Sequence, residues 1–293
     1  MPDELPLAAR FLRRLLRSRA RGAWRTATTM TAVMPSLRAV PIRFGDWPPI
    51  YFDLREGPAQ GWLLSGPHAR CPYEPEIQRT LGQFAKPGDT VVDVGANAGL
   101  HTMLLAQAVG PTGRVHAIEP NPRLISCLER TVAGLSNTTL HACAVGDRHA
   151  QLILYVPEHD DGQGSLADWT AGNDNRTTVH THPVRVMPLA ELVHTQPSLL
   201  KVDVEGAEVL VFRGALPLLD REDAPVILFE ELTLGEHGMK VPPHAAADLL
   251  LSLAAPDYSL EIVEHDGSRR PYTKEHGGWI NVLAVPASRR RSA

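Results

Sequence analysis

Between residues 73 and 287 the chain alternates short apolar runs with longer segments whose apolar residues recur at helical spacing. Short runs such as Val91, Val92 and Val94 predict buried strands, and the longer periodic segments predict amphipathic helices. The predicted strands cover residues 91–94, 114–119, 138–142, 151–156, 199–205, 225–231, 258–263 and 279–285. The predicted helices cover residues 73–85, 99–109, 122–133, 206–212 and 243–253.

Strands that alternate with helices are typical of an α/β domain whose mostly parallel sheet is covered on both faces. The last two predicted strands form an antiparallel pair that closes the sheet. Residues 157–182 are rich in Gly, Asp, Asn, Thr and His and are unusually long for a connection in such a domain. We interpret them either as a lid that faces the substrate or as a variable surface loop.

The first 40 residues have a different pattern. Leu5, Ala8, Leu12, Leu15 and Leu16 recur at helical spacing, and seven arginines fall between positions 10 and 25. No acid occurs from residue 5 to residue 45. This segment predicts a basic amphipathic helix. The helix either packs on the body or on a second subunit, or it binds anionic lipid or an acidic partner.

Residues 41–72 contain two short apolar runs, 50–54 and 61–64, separated by Gly57 and Pro58. Such runs around a turn predict a small β-hairpin cap ahead of the main domain. The chain therefore divides into a basic helical extension (1–40), the cap (41–72), the α/β domain (73–287) and a basic tail (288–293). We expect the tail to be disordered.

Composition narrows the functional classes. The 293 residues are 43% hydrophobic and carry a net charge of −4, which does not suggest a nucleic-acid-binding protein. Cys71, Cys127 and Cys143 are far apart and lack metal-ligand spacing, which indicates reduced thiols. No apolar run approaches the ~18 residues of a membrane span. We therefore expect a cytoplasmic protein.

Four acids lie near or just after the carboxyl ends of predicted strands: Asp93, Glu119, Asp147 and Asp203. The carboxyl ends of parallel strands meet at one edge of the sheet, and ligands bind in the crevice outside that edge. We therefore expect these carboxylates to line one crevice, beside the glycine turn of residues 95–99. Glycine permits the tight turn and a close backbone approach to a ligand.

Two cofactors compete for this turn. A nicotinamide dinucleotide requires G-x-G-x-x-G, whereas here Asn97 obstructs the pyrophosphate and Asp93 would face its negative charge. S-adenosylmethionine fits better, because its sulfonium and amino groups are positive. In this interpretation Glu119 accepts both ribose hydroxyls. Asp147 accepts from the adenine amino group, while the Val145 amide meets a ring nitrogen.

Seven motifs carry a resemblance to a known family. They are YEPE (73–76), VDVGANAGLHT (92–102), IEPN (118–121), AVGD (144–147), SL (165–166), LKVDVEGAE (200–208) and NVLAV (281–285). Together they resemble the FkbM-type family of S-adenosylmethionine-dependent methyltransferases, over about residues 70 to 285. The glycine turn is common to many methyltransferases, and the stretch 200–208 is the more family-specific element. The first 45 residues fall outside the resemblance.

The resemblance implies a class I methyltransferase fold, with a Rossmann-like, mostly parallel seven-stranded sheet and helices on both faces. It also implies S-adenosylmethionine as cofactor and O-methylation of a hydroxyl on a sugar, polyketide or other secondary metabolite. Together with the strand-end acids, it predicts cofactor contacts at Tyr73, Glu74, Asp93, Gly95, Ala96, Asn97, Gly99, His101, Thr102, Glu119, Pro120, Asn121, Ala144, Val145, Asp147, Ser165 and Asp203.

A hydroxyl is a poor nucleophile near neutral pH, so a base should help to remove its proton. Asp203, Glu205 and His237 are the candidate catalytic residues, and His101 is a further candidate base. Alternatively, Asp203 binds the amino end of the cofactor and Glu205 forms a structural ion pair with Lys201.

A magnesium ion is the other way to activate an acceptor oxygen. Asp203 together with Glu230 or Glu231 provides the candidate ligands, since the two glutamates end a neighbouring predicted strand. Trp62, Trp169 and Trp279 are candidate walls of a pocket for a hydrophobic acceptor.

The expected partner is a small-molecule hydroxyl acceptor, with no nucleic acid. A homodimer and contact of the arginine-rich helix with an anionic membrane surface both stay open. The rival functions are N-methylation of a peptide, nucleic acid or lipid, and a non-catalytic cofactor-binding scaffold. A nicotinamide oxidoreductase is disfavoured by Asn97.

Overall fold

The computed structural model describes residues 5–18, 20–55, 61–63, 68–158, 161–167, 178–232, 241–275 and 278–292. Within these ranges, no helix combines the length and the apolar character needed to cross a membrane. The candidate base His237 and the candidate pocket wall Trp169 lie outside the described residues.

The N-terminal segment folds into two helices and a short hairpin. Helices α1 (Leu7–Arg17) and α2 (Ala23–Val33) take the place of the single predicted helix. After a 3₁₀ turn at Pro35–Leu37, strand β1 (Val40–Ile42) pairs antiparallel with strand β2 (Ile50–Phe52). Buried residues of both helices and both strands join the core that covers one face of the main sheet.

Residues 61–63, predicted as the second strand of the hairpin, are helical instead. The Trp62 ring packs edge-on against the Phe52 ring at 5.0 Å between centroids. The apolar residues of the two segments therefore meet through their side chains, not through strand pairing. The hairpin prediction was right about residues 50–52 and wrong about their partner.

The rest of the chain alternates helices and strands, as the hydrophobic pattern predicted. The helices are α3 (Pro75–Phe84), α4 (Leu100–Val109), α5 (Pro122–Val132), α6 (Leu189–Leu192), α7 (Glu208–Gly214), α8 (Leu216–Leu219) and α9 (Ala245–Ser252). The strands are β3 (Thr90–Val94), β4 (Arg114–Ile118), β5 (Thr138–His141), β6 (Ala144–Val145), β7 (Ala150–Pro157), β8 (Val179–Met187), β9 (Leu199–Val202), β10 (Val226–Leu232), β11 (Ser259–Val263), β12 (Arg269–Pro271) and β13 (Trp279–Val285).

The main sheet has eight strands in the order β12-β11-β13-β10-β9-β3-β4-β5. The five strands from β10 to β5 are parallel, and β13 runs antiparallel between β10 and β11. The predicted antiparallel closure is confirmed, but the sheet is mixed and has eight strands, not seven. The extra strand β12 forms a hairpin with β11. Its sequence, Arg-Arg-Pro, carries no apolar signal, so the hydrophobic pattern missed it.

A second, three-stranded sheet has the order β6-β8-β7. Strand β8 begins inside the segment that was predicted as a loop and pairs antiparallel with β7. The missed strand contains His180, His182 and Pro183, so its first half lacks the apolar alternation that marks a strand. Residues 161–167 also lie against this sheet, because Ser165 exchanges backbone hydrogen bonds with Tyr155 at 2.8 and 3.0 Å.

The two faces of the main sheet bury consecutive residues in separate cores, as the pleat of a strand requires. Val91 and Leu199 pack with residues of α1, α3 and α4. Val92 and Leu200 pack on the other face with residues of α7 and α9. Because both faces are covered, the central strands carry apolar residues on both sides; Asp93 in β3 and Lys201 in β9 are the charged exceptions within those two strands.

The C-terminal tail differs from its prediction. Residues Ala287–Ser292 form a 3₁₀ helix. The Arg289 Nε donates a hydrogen bond to the Ala224 backbone oxygen at 3.2 Å. The backbone amides of Ala287 and Arg289 donate to the Pro256 and Pro286 oxygens at 2.9 Å. Over the described residues 287–292 the structure thus differs from the expected disorder, because the Ala287 amide and the Arg289 side chain find acceptors on the body.

Candidate active site

A cavity of about 330 Å³ lies at the carboxyl ends of β3, β4 and β9. The chain leaves β3 toward β4 on one side, and β9 leads toward β10 on the other, so this edge is the switch point of the sheet. The predicted site residues that line the cavity are Tyr73, Gly95, Ala96, Asn97, His101, Glu119, Pro120, Ala144, Val145, Asp203 and Glu205. Those outside its lining are Glu74, Asp93, Gly99, Thr102, Asn121, Asp147, Ser165, Glu230 and Glu231.

The glycine turn passes directly beside the end of β9. Gly95 has a φ of 78°, and a Cβ atom added there would lie 1.8 Å from the Asp203 backbone oxygen. The amides of Gly95 and Ala96 both donate to the Ile118 oxygen at 3.0 Å, which ties the turn to β4. Only glycine fits a left-handed position this close to a neighbouring backbone. The sequence predicted that this turn lets the backbone approach a ligand closely. The structure shows that the turn also lies close to another part of the protein, the backbone of Asp203.

We expect Gly95→Ala to destabilise the protein by more than the ~1–3 kcal/mol of left-handed strain alone, since the added methyl also overlaps the Asp203 backbone. Urea unfolding measures the loss. Gly82→Ala is the matched control, because Gly82 lies within α3 and an added Cβ there meets nothing within 4 Å. That control should be neutral or stabilising by up to about 1 kcal/mol. Equal stability of the two variants would contradict the close crossing.

Glu119 faces the cavity with a carboxylate that the backbone holds in place. Its Oε2 accepts from the Asn97 amide at 2.9 Å, and its Oε1 accepts from the Asn121 amide at 2.8 Å. Burial raises the pKa of Glu119 to about 7, although both amide hydrogen bonds oppose that rise. Each oxygen keeps a free lone pair, so the group is preset to accept two further hydrogen bonds. Asn121, predicted as a cofactor contact, does not line the cavity, and its amide supports Glu119.

Asp93 lies beneath the cavity, not in its wall. The side chain is fully buried, and its Oδ2 accepts from the Thr102 hydroxyl at 2.6 Å. The Lys201 ammonium lies 3.5 Å from Asp93 Oδ1 and 3.3 Å from Asp203 Oδ2. It also donates to the Gly95 backbone oxygen at 3.0 Å. Asp93 and Thr102, both predicted as cofactor contacts, do not line the cavity; Asp93 holds Lys201, and Thr102 holds Asp93.

Lys201 stays positively charged despite its burial. Burial alone would lower the pKa of Lys201, but the carboxylates of Asp203, Asp93 and Glu74 raise it above its ordinary value. A buried cation needs such partners, because the cost of removing it from water must be offset. The structure brings the carboxylates of Asp93 and Asp203 to Lys201.

Three carboxylates meet next to the cavity. Oxygens of Asp203, Glu205 and Glu230 lie within 4.8 Å of one another. Burial, followed by the nearby charges of Asp203 and Glu205, raises the pKa of Glu230 to about 9. Glu230 therefore holds a proton at neutral pH, because three half-buried carboxylates this close together do not all ionise. We call these three residues the acid cluster. It can take up a proton or hold a cation.

Glu231, the other predicted metal ligand, is separated from the acid cluster. It is buried on the opposite side of β10, where its carboxylate accepts from the Tyr272 hydroxyl at 2.6 Å and from the Ala247 amide at 3.2 Å. Successive residues of a strand point to opposite faces, so Glu230 and Glu231 cannot serve one site. Glu231 instead anchors the N-terminal end of α9.

His101 and Glu74 lie at one end of the cavity, next to Tyr73. The rings of His101 and Tyr73 are 5.7 Å apart, and His101 Nε2 lies 3.6 Å from Glu74 Oε2. Burial, with the Lys201 charge as a further cause, lowers the pKa of His101 well below its ordinary value. The imidazole is therefore neutral, and among the described residues its Nε2 has no hydrogen-bond partner.

The N-terminal cap contributes a wall that sequence reasoning largely missed. The cavity is lined there by Phe52, Asp53 and Trp62. The Trp62 ring packs against the Tyr73 ring, with 5.9 Å between the ring centroids. Only Trp62 was a candidate beforehand. Strand β2 reaches this position because the Tyr51 amide donates to the Thr131 hydroxyl of α5 at 3.1 Å. The other candidate wall, Trp279, is half exposed on β13 and does not line the cavity.

Ala144 and Val145 line the end of the cavity beyond Glu119. Asp147 does not join them, because its side chain turns outward, 3.6 Å from Arg148 Nη1. Ser165 links its own loop to Glu205. Its hydroxyl donates to the Glu205 backbone oxygen at 3.0 Å and accepts from the Ala167 amide at 3.2 Å. It thereby holds residues 162–166, of which 162–164 and Leu166 line the cavity. Part of the predicted lid does face the site.

The chemistry of this cavity fits S-adenosylmethionine. A preset carboxylate, Glu119, at one end suits a diol, and the acid cluster with Glu74 at the other end suits positive charge. The buried His101 lines the cavity beside Tyr73, and its Nε2 has no hydrogen-bond partner among the described residues. The volume of about 330 Å³ lies within the ~300–1,000 Å³ range of small-molecule sites.

The sequence of this chain matches the model of one protein family. The family described as "Methyltransferase FkbM domain" matches residues 93–260, which is more than half of the chain. A solved structure of the methyltransferase FkbM from Methylobacillus flagellatus covers 76% of this chain and 51% of its own, with a TM-score of 0.45 and 15% identity.

Curated relatives match part of the chain, and two of them show the extent of the match. Methyltransferase 1 of Beauveria bassiana is 29% identical over 148 residues, which are 44% of this chain and 59% of that protein. Protein-L-isoaspartate O-methyltransferase of Aeropyrum pernix is 35% identical over 74 residues, which are 25% of this chain and 28% of that protein. The chain therefore spans less than two thirds of the length of either relative.

Proposed function

The chain belongs to the FkbM methyltransferase family, and from this premise we propose that it is an S-adenosylmethionine-dependent methyltransferase that methylates a hydroxyl oxygen of a small molecule. The observation that supports oxygen as the acceptor is the acid cluster. Asp203 and Glu205 line the cavity, and with Glu230 they bring three carboxylates within 4.8 Å of one another. A hydroxyl must lose its proton during methyl transfer, and this cluster offers bases for it.

The cofactor side of the proposal assigns roles along the cavity. Glu119 accepts from the ribose hydroxyls, and Ala144 and Val145 contact the adenine. Glu74 and the acid cluster face the positive end. When bound, the cofactor supplies an electrophilic methyl group. The chain's own residues orient the acceptor and exclude water, and such alignment converts a bimolecular step into an effectively intramolecular one.

Glu119 gives the first test of this assignment. Glu119→Gln should weaken S-adenosylhomocysteine roughly 10- to 100-fold, because a charged hydrogen-bond acceptor is lost. Since the pKa of Glu119 is raised to about 7, wild-type affinity should rise as the pH passes from a unit below to a unit above that value. The Gln variant should show no such rise. Isothermal titration measures both, and Glu222→Gln, at an exposed site, is the control.

Acceptor class is tested by methyl transfer from labelled S-adenosylmethionine to a panel of sugars, polyketides, amines and peptides. Methylation of hydroxyl acceptors alone supports the proposal, and methylation of amines or peptides alone contradicts it. A non-catalytic scaffold would bind S-adenosylhomocysteine with full affinity and transfer no methyl group to any acceptor.

Magnesium is a second candidate for activating the acceptor oxygen. Its proposed ligands are Asp203, Glu205 and Glu230, with Glu205 in place of Glu231, because each offers one carboxylate oxygen to a common point. A chelator should abolish transfer if the cluster holds a metal, and it should leave the rate unchanged if the cluster acts through a proton alone.

A further inference from the structure

The outer side of the N-terminal helices combines exposed apolar side chains with arginines. Leu7 is 77% exposed, Phe11 57% and Trp24 60%, which are large values for residues of this type. Arg10, Arg14 and Arg21 are exposed as well. We call these six residues the basic–apolar face. Exposed apolar groups that lie together typically mark an interaction site.

The geometry of α1 separates this face from the side that packs on the protein. Ala9, Leu12 and Leu16 are buried in the core. Leu7 and Phe11 are one helical turn apart on the outer side, and Arg10 and Arg14 form the adjacent row. Trp24 is the second residue of α2, Arg21 lies two residues before that helix, and α2 packs on α1. The inner side of the helices is buried against the core. The packing of the described residues therefore does not require apolar residues on the outer side.

Charge selects among the possible partners. Residues 1–45 contain nine arginines and two acids, whereas the rest of the chain contains 20 basic and 31 acidic residues. Two copies of the basic–apolar face would repel each other. An anionic surface would attract this face and repel the body, which also orients the molecule. Phe, Leu and Trp between arginines are typical of helices that lie in a membrane interface.

We propose that the basic–apolar face binds the surface of an anionic membrane. The arginines contact the lipid headgroups, and Leu7, Phe11 and Trp24 insert among the outer parts of the acyl chains. This surface is separate from the cavity, so the proposal stands independently of the acceptor chemistry.

Vesicle co-sedimentation of the full chain tests this proposal. The wild type should bind vesicles of phosphatidylcholine mixed with phosphatidylglycerol and should not bind vesicles of phosphatidylcholine alone. The triple variant Arg10→Gln/Arg14→Gln/Arg21→Gln should bind the mixed vesicles roughly 100-fold more weakly, at about fivefold per arginine. High salt should release the wild type, a result that requires no variant.

Matched controls keep the result specific. Phe11→Ser should weaken binding, whereas Leu251→Ser, at a residue 50% exposed on α9, should not. The triple variant Arg130→Gln/Arg148→Gln/Arg213→Gln, at exposed sites on the body, should bind like the wild type. Equal binding to both kinds of vesicle, or no binding to either, overturns the proposal. Two further results would overturn it. One is a concentration-dependent dimer that the wild type and the body variant form and the Arg10/Arg14/Arg21 variant does not. The other is binding to an RNA oligonucleotide with the same pattern.

Discussion

Lys201→Met is expected to lower the free energy of unfolding by about 3–5 kcal/mol, the usual cost of removing one partner from a buried ion pair. The Lys201 ammonium is buried between Asp93 and Asp203, and it also donates to the Gly95 backbone oxygen. Methionine fills a similar volume, but among the described residues it leaves the fully buried Asp93 carboxylate with the Thr102 hydroxyl as its one remaining donor. The change therefore leaves the buried Asp93 carboxylate, beneath the cavity, without the cation that neutralises it.

Urea unfolding of the variant measures this loss. Lys86→Met, at an exposed residue before β3, should change stability by no more than about 0.5 kcal/mol. The double variant Lys201→Met/Asp93→Asn should recover part of the loss, because it removes the charge that Lys201 neutralised. If Lys201→Met costs less than about 1 kcal/mol, or if Asp93→Asn makes the loss larger, the proposed electrostatic role of Lys201 is wrong.

Asp203→Asn is expected to reduce kcat by about 10²- to 10⁴-fold, the usual contribution of a positioned acid or base. Asp203 lines the cavity, and its carboxylate is held 3.3 Å from Lys201. Asparagine keeps the shape of the side chain but cannot take up a proton. Steady-state kinetics with the acceptor identified by the panel measures the effect, and circular dichroism checks that the variant is folded.

Comparing the kcat of Glu230→Gln with that of Asp203→Asn distinguishes a proton mechanism from a metal mechanism. Because the pKa of Glu230 is raised to about 9, its acid is already protonated at neutral pH, and glutamine imitates that form. A cluster that works through a proton should therefore lose little kcat in Glu230→Gln and much in Asp203→Asn. If the cluster holds a magnesium ion, both variants should lose activity together, and added metal should partly restore Glu230→Gln. Unchanged kcat in Asp203→Asn would exclude Asp203 as the base.

The sequence by itself determined the strand–turn–helix unit around Gly95, the alternation of strands and helices, and the edge at which Glu119 and Asp203 meet. These features depend on local periodicity, on glycine, and on the rule that parallel strands end together. The family motifs fall on the same residues. That is why most of the predicted residues in the cavity wall come from the turn and from the ends of β3, β4 and β9.

Only the tertiary structure decided which acid faces which partner. Asp93 ends a strand like Glu119, yet it is buried against Lys201, and Glu230 joins the acid cluster while Glu231 anchors α9. The sequence also missed β8, β12 and the aromatic wall from the cap. Each of these depends on pairing or packing between segments far apart in the chain. Such contacts are fixed by register and by the energy of burial, neither of which leaves a local pattern in the sequence.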